Sequence, residues 1–335
     1  MMRSRRQWCG ALLAALLLAA GLAASTCRGA EANGPLEAAQ GQFESGAYPQ
    51  AIQTLESAIA KAPQDARLHF WLARCHFELR NYSEAVASAE RAVQLDAKNS
   101  EYHLWLGHSY GREAKRKGGF SGLSLARRTK REFEEAVRLD GSNLPARRAL
   151  VDYLSEAPGI AGGDDAEARK QIGALEGLDP VEAQLAWADY WNNNDELNRA
   201  DQALQRALQL KPARVEPYLE ASKFYEGRGN TALLRAAVDG AVRVNANEPR
   251  LLYYRGVLLV MQGTQASEAE GFLREYLNKV PQRWGYPSHA AAHEWLGMAY
   301  EKLGNRAKAI EHYQKALSLD PKRKAAKEGL KRLGR

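Results

Sequence analysis

The sequence predicts an all-α fold, a solenoid of short helical hairpins, on three observations. First, the stretch from His293 to Pro321 has the pattern of two amphipathic helices: Leu296, Gly297 and Tyr300 share one face of the first, Ala309, Tyr313 and Ala316 one face of the second. Second, the pattern recurs. Trp187, Ala188, Trp191, Leu204 and Ala207 are answered 34 residues later by Ala221, Ser222, Tyr225, Val238 and Ala241. Third, the punctuation recurs with it, because Gly304-Asn305 and Gly229-Asn230 supply the same turn chemistry and Pro63, Pro212, Pro281 and Pro321 follow the second helices. A length of 335 residues would suit two ordinary globular domains, but a fixed period replaces that expectation with one elongated array.

Residues 1–32 stand outside the array. Arg3, Arg5 and Arg6 precede an apolar run from Gly10 to Ala24, and small residues follow, which is the layout of a secretory signal peptide. The run is shorter than the roughly 20 apolar residues of a membrane span. Ala30-Glu31-Ala32 offers one cleavage site and the region near Ser25 another. The segment before Cys27 is similar to a bacterial lipobox, so lipidation there is a third option, although Ala24 and Thr26 depart from that pattern. Export to the periplasm or outer envelope is the expected localisation. Cys75 alone then remains in the repeats, which excludes a disulfide framework.

The units fall at about 33–65, 66–99, 100–143, 144–180, 181–214, 215–248, 249–289 and 290–321, with a basic capping helix over 322–335. In the first, Ala51, Leu55, Ala58 and Pro63 take the spacing of Ala309, Tyr313, Ala316 and Pro321, while Phe43 and Gly46 mark a poorer first helix. In the second, Leu72, Ala73 and His76 face Ala85, Ala89 and Ala92. The third opens with Leu106, Gly107 and Tyr110, but about ten extra residues precede Phe133 and Ala136. The glycines and serines around Phe120 predict a projecting loop over Lys115–Gly122. Residues 112–131 hold eight basic side chains and one acidic, so Lys115, Arg116 and Lys117 form a candidate contact for an acidic partner or an anionic envelope surface. In the fourth unit, Ala157–Asp164 intervenes between Leu154 and Ala168. Its proline and glycines predict another loop, with no strand before it and no lysine placed as in a phosphate-binding loop. Trp187, Ala200, Tyr225, Val238, Gly256, Leu259, Leu273 and Tyr276 continue the register through the next three units. The connection from Gln282 to Ser288 places Trp284 back against a neighbouring repeat. The last helix turns Ala325, Leu330 and Leu333 inward and keeps its basic residues outside.

These residues and spacings resemble the tetratricopeptide repeat, a helix-turn-helix unit of about 34 residues. The resemblance covers roughly residues 33–335. It implies a right-handed superhelical solenoid of about eight hairpins and a binding activity rather than catalysis, with first helices lining a concave groove that holds a peptide or partner helix. The candidate groove residues are Phe70, Trp71, Arg74, Trp105, His108, Asn192, Tyr253, Tyr254 and Trp295. The basic and Asn residues that clamp a terminal carboxylate in chaperone-binding members are not matched. A non-catalytic scaffold or adaptor is therefore expected, or alternatively an envelope-tethered assembly factor working through its inserted loops and basic patches.

Other chemistries find no residues. His289 and His293 stand four apart, but no HExxH, paired CxxC or nearby carboxylate cluster completes a zinc site. No G-x-S-x-G turn marks a nucleophile. No cofactor, metal, nucleic acid or small-molecule substrate is expected. The formal charge of +7 does not suggest nucleic acid either, because it is gathered at the ends and in one segment. Residues 1–30 carry +4, 112–131 carry +7 and 322–335 carry +6, which leaves the rest at −10.

Overall fold

The computed structural model describes residues 34–334, and the signal-peptide reading, with Cys9 and Cys27, lies outside them. The first compact unit ends at Leu139 and contains α1 (residues 34–44), α2 (Tyr48–Lys61), α3 (Ala66–Glu78), α4 (Tyr82–Leu95), α5 (Ser100–Lys117) and α6 (Gly119–Leu139). The second begins at Asp140 and contains α7 (Leu144–Glu156), α8 (Asp165–Glu176), α9 (Pro180–Asn193), α10 (Leu197–Gln209), α11 (Glu216–Gly227) and α12 (Thr231–Val244), then α13 (Arg250–Gln262), α14 (Ala266–Lys279), α15 (His289–Lys302), α16 (Arg306–Leu319) and α17 (Lys324–Arg332). Among the described residues every regular element is helical, and consecutive helices pair as hairpins, so the fold is an all-α helical solenoid. No described helix is long and apolar enough to cross a membrane.

Short polar side chains start these helices. Asp65 accepts from the Arg67 N–H, Asn99 from Glu101 and Tyr102, Asp179 from Val181 and Glu182, Asn230 from Leu233 and Asn305 from Lys308. Each satisfies a donor that the first turn leaves open and is worth about 1 kcal/mol. Within each hairpin a small residue lets the backbones close. A Cβ on Gly297 would stand 2.5 Å from the Tyr313 ring, and one on Gly107 would stand 2.5 Å from Phe133. Tyr313 and Phe133 therefore fill the space that these glycines leave.

Two expectations are corrected. Lys115–Gly122 is not a projecting loop: α5 runs to Lys117 and α6 starts at Gly119, so the extra residues lengthen both helices. Only the reversal is irregular, with Gly118 and Gly119 at φ +63° and +54°. Gly122 lies in α6 where its Cβ would be 2.8 Å from the Ala114 carbonyl oxygen, so this glycine serves close helix packing rather than looping. In α17 Leu330 and Leu333 pack against the core as expected, but Ala326 takes the buried place expected for Ala325, and Gly329 lies against Tyr313.

Residues 157–164 form an irregular connection containing one 3₁₀ turn, Gly159–Ala161. It is tied back by the Asp164 N–H to the Leu154 carbonyl (2.9 Å) and by the Tyr153 hydroxyl to the Ala161 carbonyl (2.8 Å). Cys75 is buried and unoxidised, and desolvation pushes its thiol up to about 12, so it acts as a small apolar group.

Candidate partner-binding face

The first helices of successive hairpins lie side by side, α3 with α5 in the first unit and α7 with α9, α11 with α13 and α13 with α15 in the second. Residues on their outward turns form the candidate face. In the first unit that face is occupied by the protein's own aromatic residues. The Arg74 guanidinium carbon is 4.3 Å from the Trp71 ring centroid, 4.7 Å from Trp105, 4.8 Å from Phe43 and 5.7 Å from Phe70. An arginine held among four rings is an internal cation–π centre, and Trp71 and Trp105 remain half-buried beside it. His108 lies between Trp105 (5.8 Å) and Phe133 (5.1 Å), and burial lowers its pKa to about 3. It is a neutral packing residue.

Three groove candidates are corrected by burial. Phe70 is buried against Tyr102 at 4.9 Å. Tyr253 and Tyr254 are buried between first helices, and the Tyr253 hydroxyl donates to Glu226 at 2.5 Å. The reason is the same for all three: in an array, a first helix is flanked by the next first helix, which covers positions that look outward on a single hairpin. Trp295 is half-buried and donates its indole N–H to the same Glu226 oxygen at 2.9 Å, so one carboxylate joins α11, α13 and α15. Burial raises the Glu226 pKa against the effect of these two donors. Asn192 is exposed, and Lys115, Arg116 and Lys117 are exposed at the far end of α5. The candidates thus fall into separate places, with no single site joining them.

The second unit builds something the groove candidates did not include. Arg148 on α7 donates to Glu220 on α11 at 2.8 and 2.9 Å, to Glu182 on α9 at 3.2 Å, and to Asp189 on α9. Burial works against its charge, but Asp189, Glu220 and Glu182 outweigh that and hold the guanidinium well above its ordinary pKa. Arg214 adds a second cation, 2.9 Å from both Asp179 and Glu182. Nearby, the Asn193 amide donates to Asp152 (2.9 Å) and to the Ser155 hydroxyl (3.0 Å). Carboxylates outnumber the cations, and those at the surface stay open to water: the side chains of Asp189, Glu220 and Glu216 are 45%, 36% and 51% exposed. The period could have disclosed this network. Positions 148, 182, 216 and 250 are 34 apart and read Arg, Glu, Glu, Arg, and the structure joins Arg148 to Glu182 and Arg250 to Glu216 (3.3 Å).

At α15 and α16, His293 and His312 meet through their Nδ1 atoms at 2.9 Å with rings stacked, and His312 also stacks on Tyr300. Burial, then His312, lowers the His293 pKa to about 4. Among the described residues no group of three or more His, Cys, Asp and Glu side chains is placed to hold a metal ion.

A helical-hairpin solenoid with a polar, partly charged face is a protein of the interaction-scaffold class. Tetratricopeptide-repeat family models match residues 42–106 and 290–323, so these two stretches are tetratricopeptide repeats. Such repeats mediate protein–protein contact, and the fold is typically a non-catalytic scaffold. No curated protein matches the sequence. Among solved structures, a thermophilic tetratricopeptide-repeat protein of Thermus thermophilus is similar at 17% identity and a TM-score of 0.46, over 68% of this chain and 99% of its own. A tetratricopeptide-repeat protein of Parabacteroides merdae is similar at 14% identity and a TM-score of 0.42, over 91% of this chain and 99% of its own. At that level neither structure places a ligand on this chain.

Proposed function

We propose that this protein is an exported, non-catalytic adaptor of the bacterial periplasm or envelope that holds an extended segment of a protein partner on the first-helix face of its second unit. What supports export is the charged, apolar and small-residue order of residues 1–32. What supports the face is one observation above the others: α7, α9 and α11 present open carboxylates and amides around a fixed Arg148. Exposed Glu216 and the half-buried Asp189 and Glu220 favour a segment that brings Lys or Arg side chains and backbone N–H donors. Arg148 itself is already engaged, so it orders these acceptors instead of binding. Because their geometry is set before the partner arrives, little ordering cost falls on binding.

The test is in-cell crosslinking followed by pull-down, comparing wild type with Asp189→Ala/Glu216→Ala and with Trp71→Ala/Trp105→Ala. The reading predicts that a discrete partner is lost from the first variant with helicity kept, while the second keeps it. Loss in the second alone would move the site to the aromatic face of the first unit.

A further inference from the structure

The extended α5–α6 hairpin has a use that the adaptor reading does not absorb. Its neighbours α3 and α4 have 13 and 14 residues, whereas α5 has 18 and α6 has 21. At 1.5 Å per residue the pair runs about 8–10 Å farther than the hairpin beside it. This extension is a rigid finger. Gly122 closes on Ala114, Gly111 meets Thr129, and Glu113, buried at the hairpin interface, takes Arg116, Lys117 and Ser83. Arg128 reaches Glu90 on α4 at 2.9 Å and lies over the Tyr110 ring.

The end of the finger combines two properties. Residues 115–121 are all exposed, and Phe120 is 93% exposed, the most open large apolar side chain among those described. Beside it stand Lys115, Arg116 and Lys117, and the other five basic side chains of residues 112–131 lie farther down α5 and α6, while the one acid, Glu113, faces inward. The acids of α6 stand at its other end, at Glu132, Glu134 and Glu135. Charge is thus graded along the finger, basic and aromatic at the tip and acidic toward the base.

We propose that this tip docks the protein on a bilayer rich in anionic phospholipid, with Phe120 entering the headgroup region and Lys115, Lys117 and their neighbours lying on the lipid phosphates. Basic side chains near such a surface contribute about a fivefold gain in affinity each, and an aromatic ring suits the boundary between headgroups and acyl chains. A bilayer fits better than a folded acidic partner. A fully exposed ring on a convex point has nothing to pack against in a rigid surface but sinks into a fluid one. The inference is independent of the partner face in the second unit.

The experiment is vesicle co-sedimentation with the chain from residue 33 onward, which holds every described helix and omits the apolar leader. Vesicles of phosphatidylglycerol and phosphatidylethanolamine are compared with phosphatidylcholine alone. The expected result is binding to the anionic vesicles only, weakened at least about tenfold by Lys115→Glu/Lys117→Glu and by 0.5 M salt, and about fivefold by Phe120→Ala. Phe120→Ala should melt as wild type does, and because Lys117 lies 3.5 Å from the buried Glu113, Lys115→Glu alone, which leaves that pair intact, should still weaken binding at least about fivefold with an unchanged melting curve. Lys322→Glu/Lys324→Glu/Lys327→Glu on and before α17 should bind as wild type does. Equal binding to both vesicle types overturns the proposal, as does loss of binding in the α17 variant alone. Salt-sensitive capture by polyglutamate with no vesicle binding and no effect of Phe120→Ala would make the tip a site for an acidic protein instead.

Discussion

Hairpins α15–α16 and α5–α6 share one crossing and differ in how far they continue beyond it. In both, a glycine on the first helix meets a ring on the second, Gly297 with Tyr313 and Gly107 with Phe133. In α15–α16 the chain turns back shortly afterwards, at Gly304 with φ +69°, and Asn305 starts the next helix. In α5–α6 the helices continue to Lys117 before the reversal at Gly118 and Gly119. The crossing, where side chains interlock, preserves the array, whereas the turn can move outward without disturbing it. An insertion in such a repeat is therefore accommodated as added helix wherever its residues can pack on themselves, and Gly122 against Ala114 shows that these can.

Breaking the shared crossing should have the largest effect. Gly297→Val and Gly107→Val each force atoms into a ring already 2.5 Å from the Cβ position, and each should lower stability by about 3 kcal/mol in thermal melts. If one is tolerated and the other is not, the two crossings are not equivalent. Next comes the extension. Gly122→Val should cost about 2 kcal/mol, because its Cβ meets a backbone carbonyl at 2.8 Å, whereas a free loop would accept the change.

The third prediction concerns pH. The Arg116 guanidinium, ahead of Ser83 and Lys117, holds the Glu113 pKa at about 2, below its ordinary 4.5. A depressed carboxyl pKa adds stability above the unfolded value, so this contribution is present above about pH 4.5 and is lost as the pH falls toward 2. Glu113→Gln should cost about 2 kcal/mol at pH 7 and much less near pH 2, measured by denaturant melts of both proteins. The smallest effect is a gain. Arg80 closes the α3–α4 hairpin at φ +61°, where Gly304 closes α15–α16, so Arg80→Gly should raise stability by about 0.5 kcal/mol.

The all-α solenoid was legible because burial imposes one period on all eight hairpins. Ala309, Tyr313 and Ala316 repeat as Leu55 or Ala207 do elsewhere, and all of these are buried. The finger was misread because glycine has two uses. Composition alone does not distinguish a glycine that frees the chain, as Gly118 does, from one that admits a neighbouring backbone, as Gly122 does. The face was legible only in part. Phe70, Tyr253 and Tyr254 point outward from a single helix, and only the adjacent helix covers them. Arg148 was overlooked for the opposite reason: its partners Glu182 and Glu220 are one and two repeats away, so no local window contains them.

The central claim is that the first-helix face of the second unit binds the partner. It is tested most directly by photo-crosslinking in cells from a probe at Asn192, on α9, against one at Gln202, exposed on α10. The account predicts a discrete adduct from position 192 that Asp189→Ala/Glu216→Ala removes, and none from position 202. An adduct from 202 alone, or one from 192 that survives the double substitution, would contradict it.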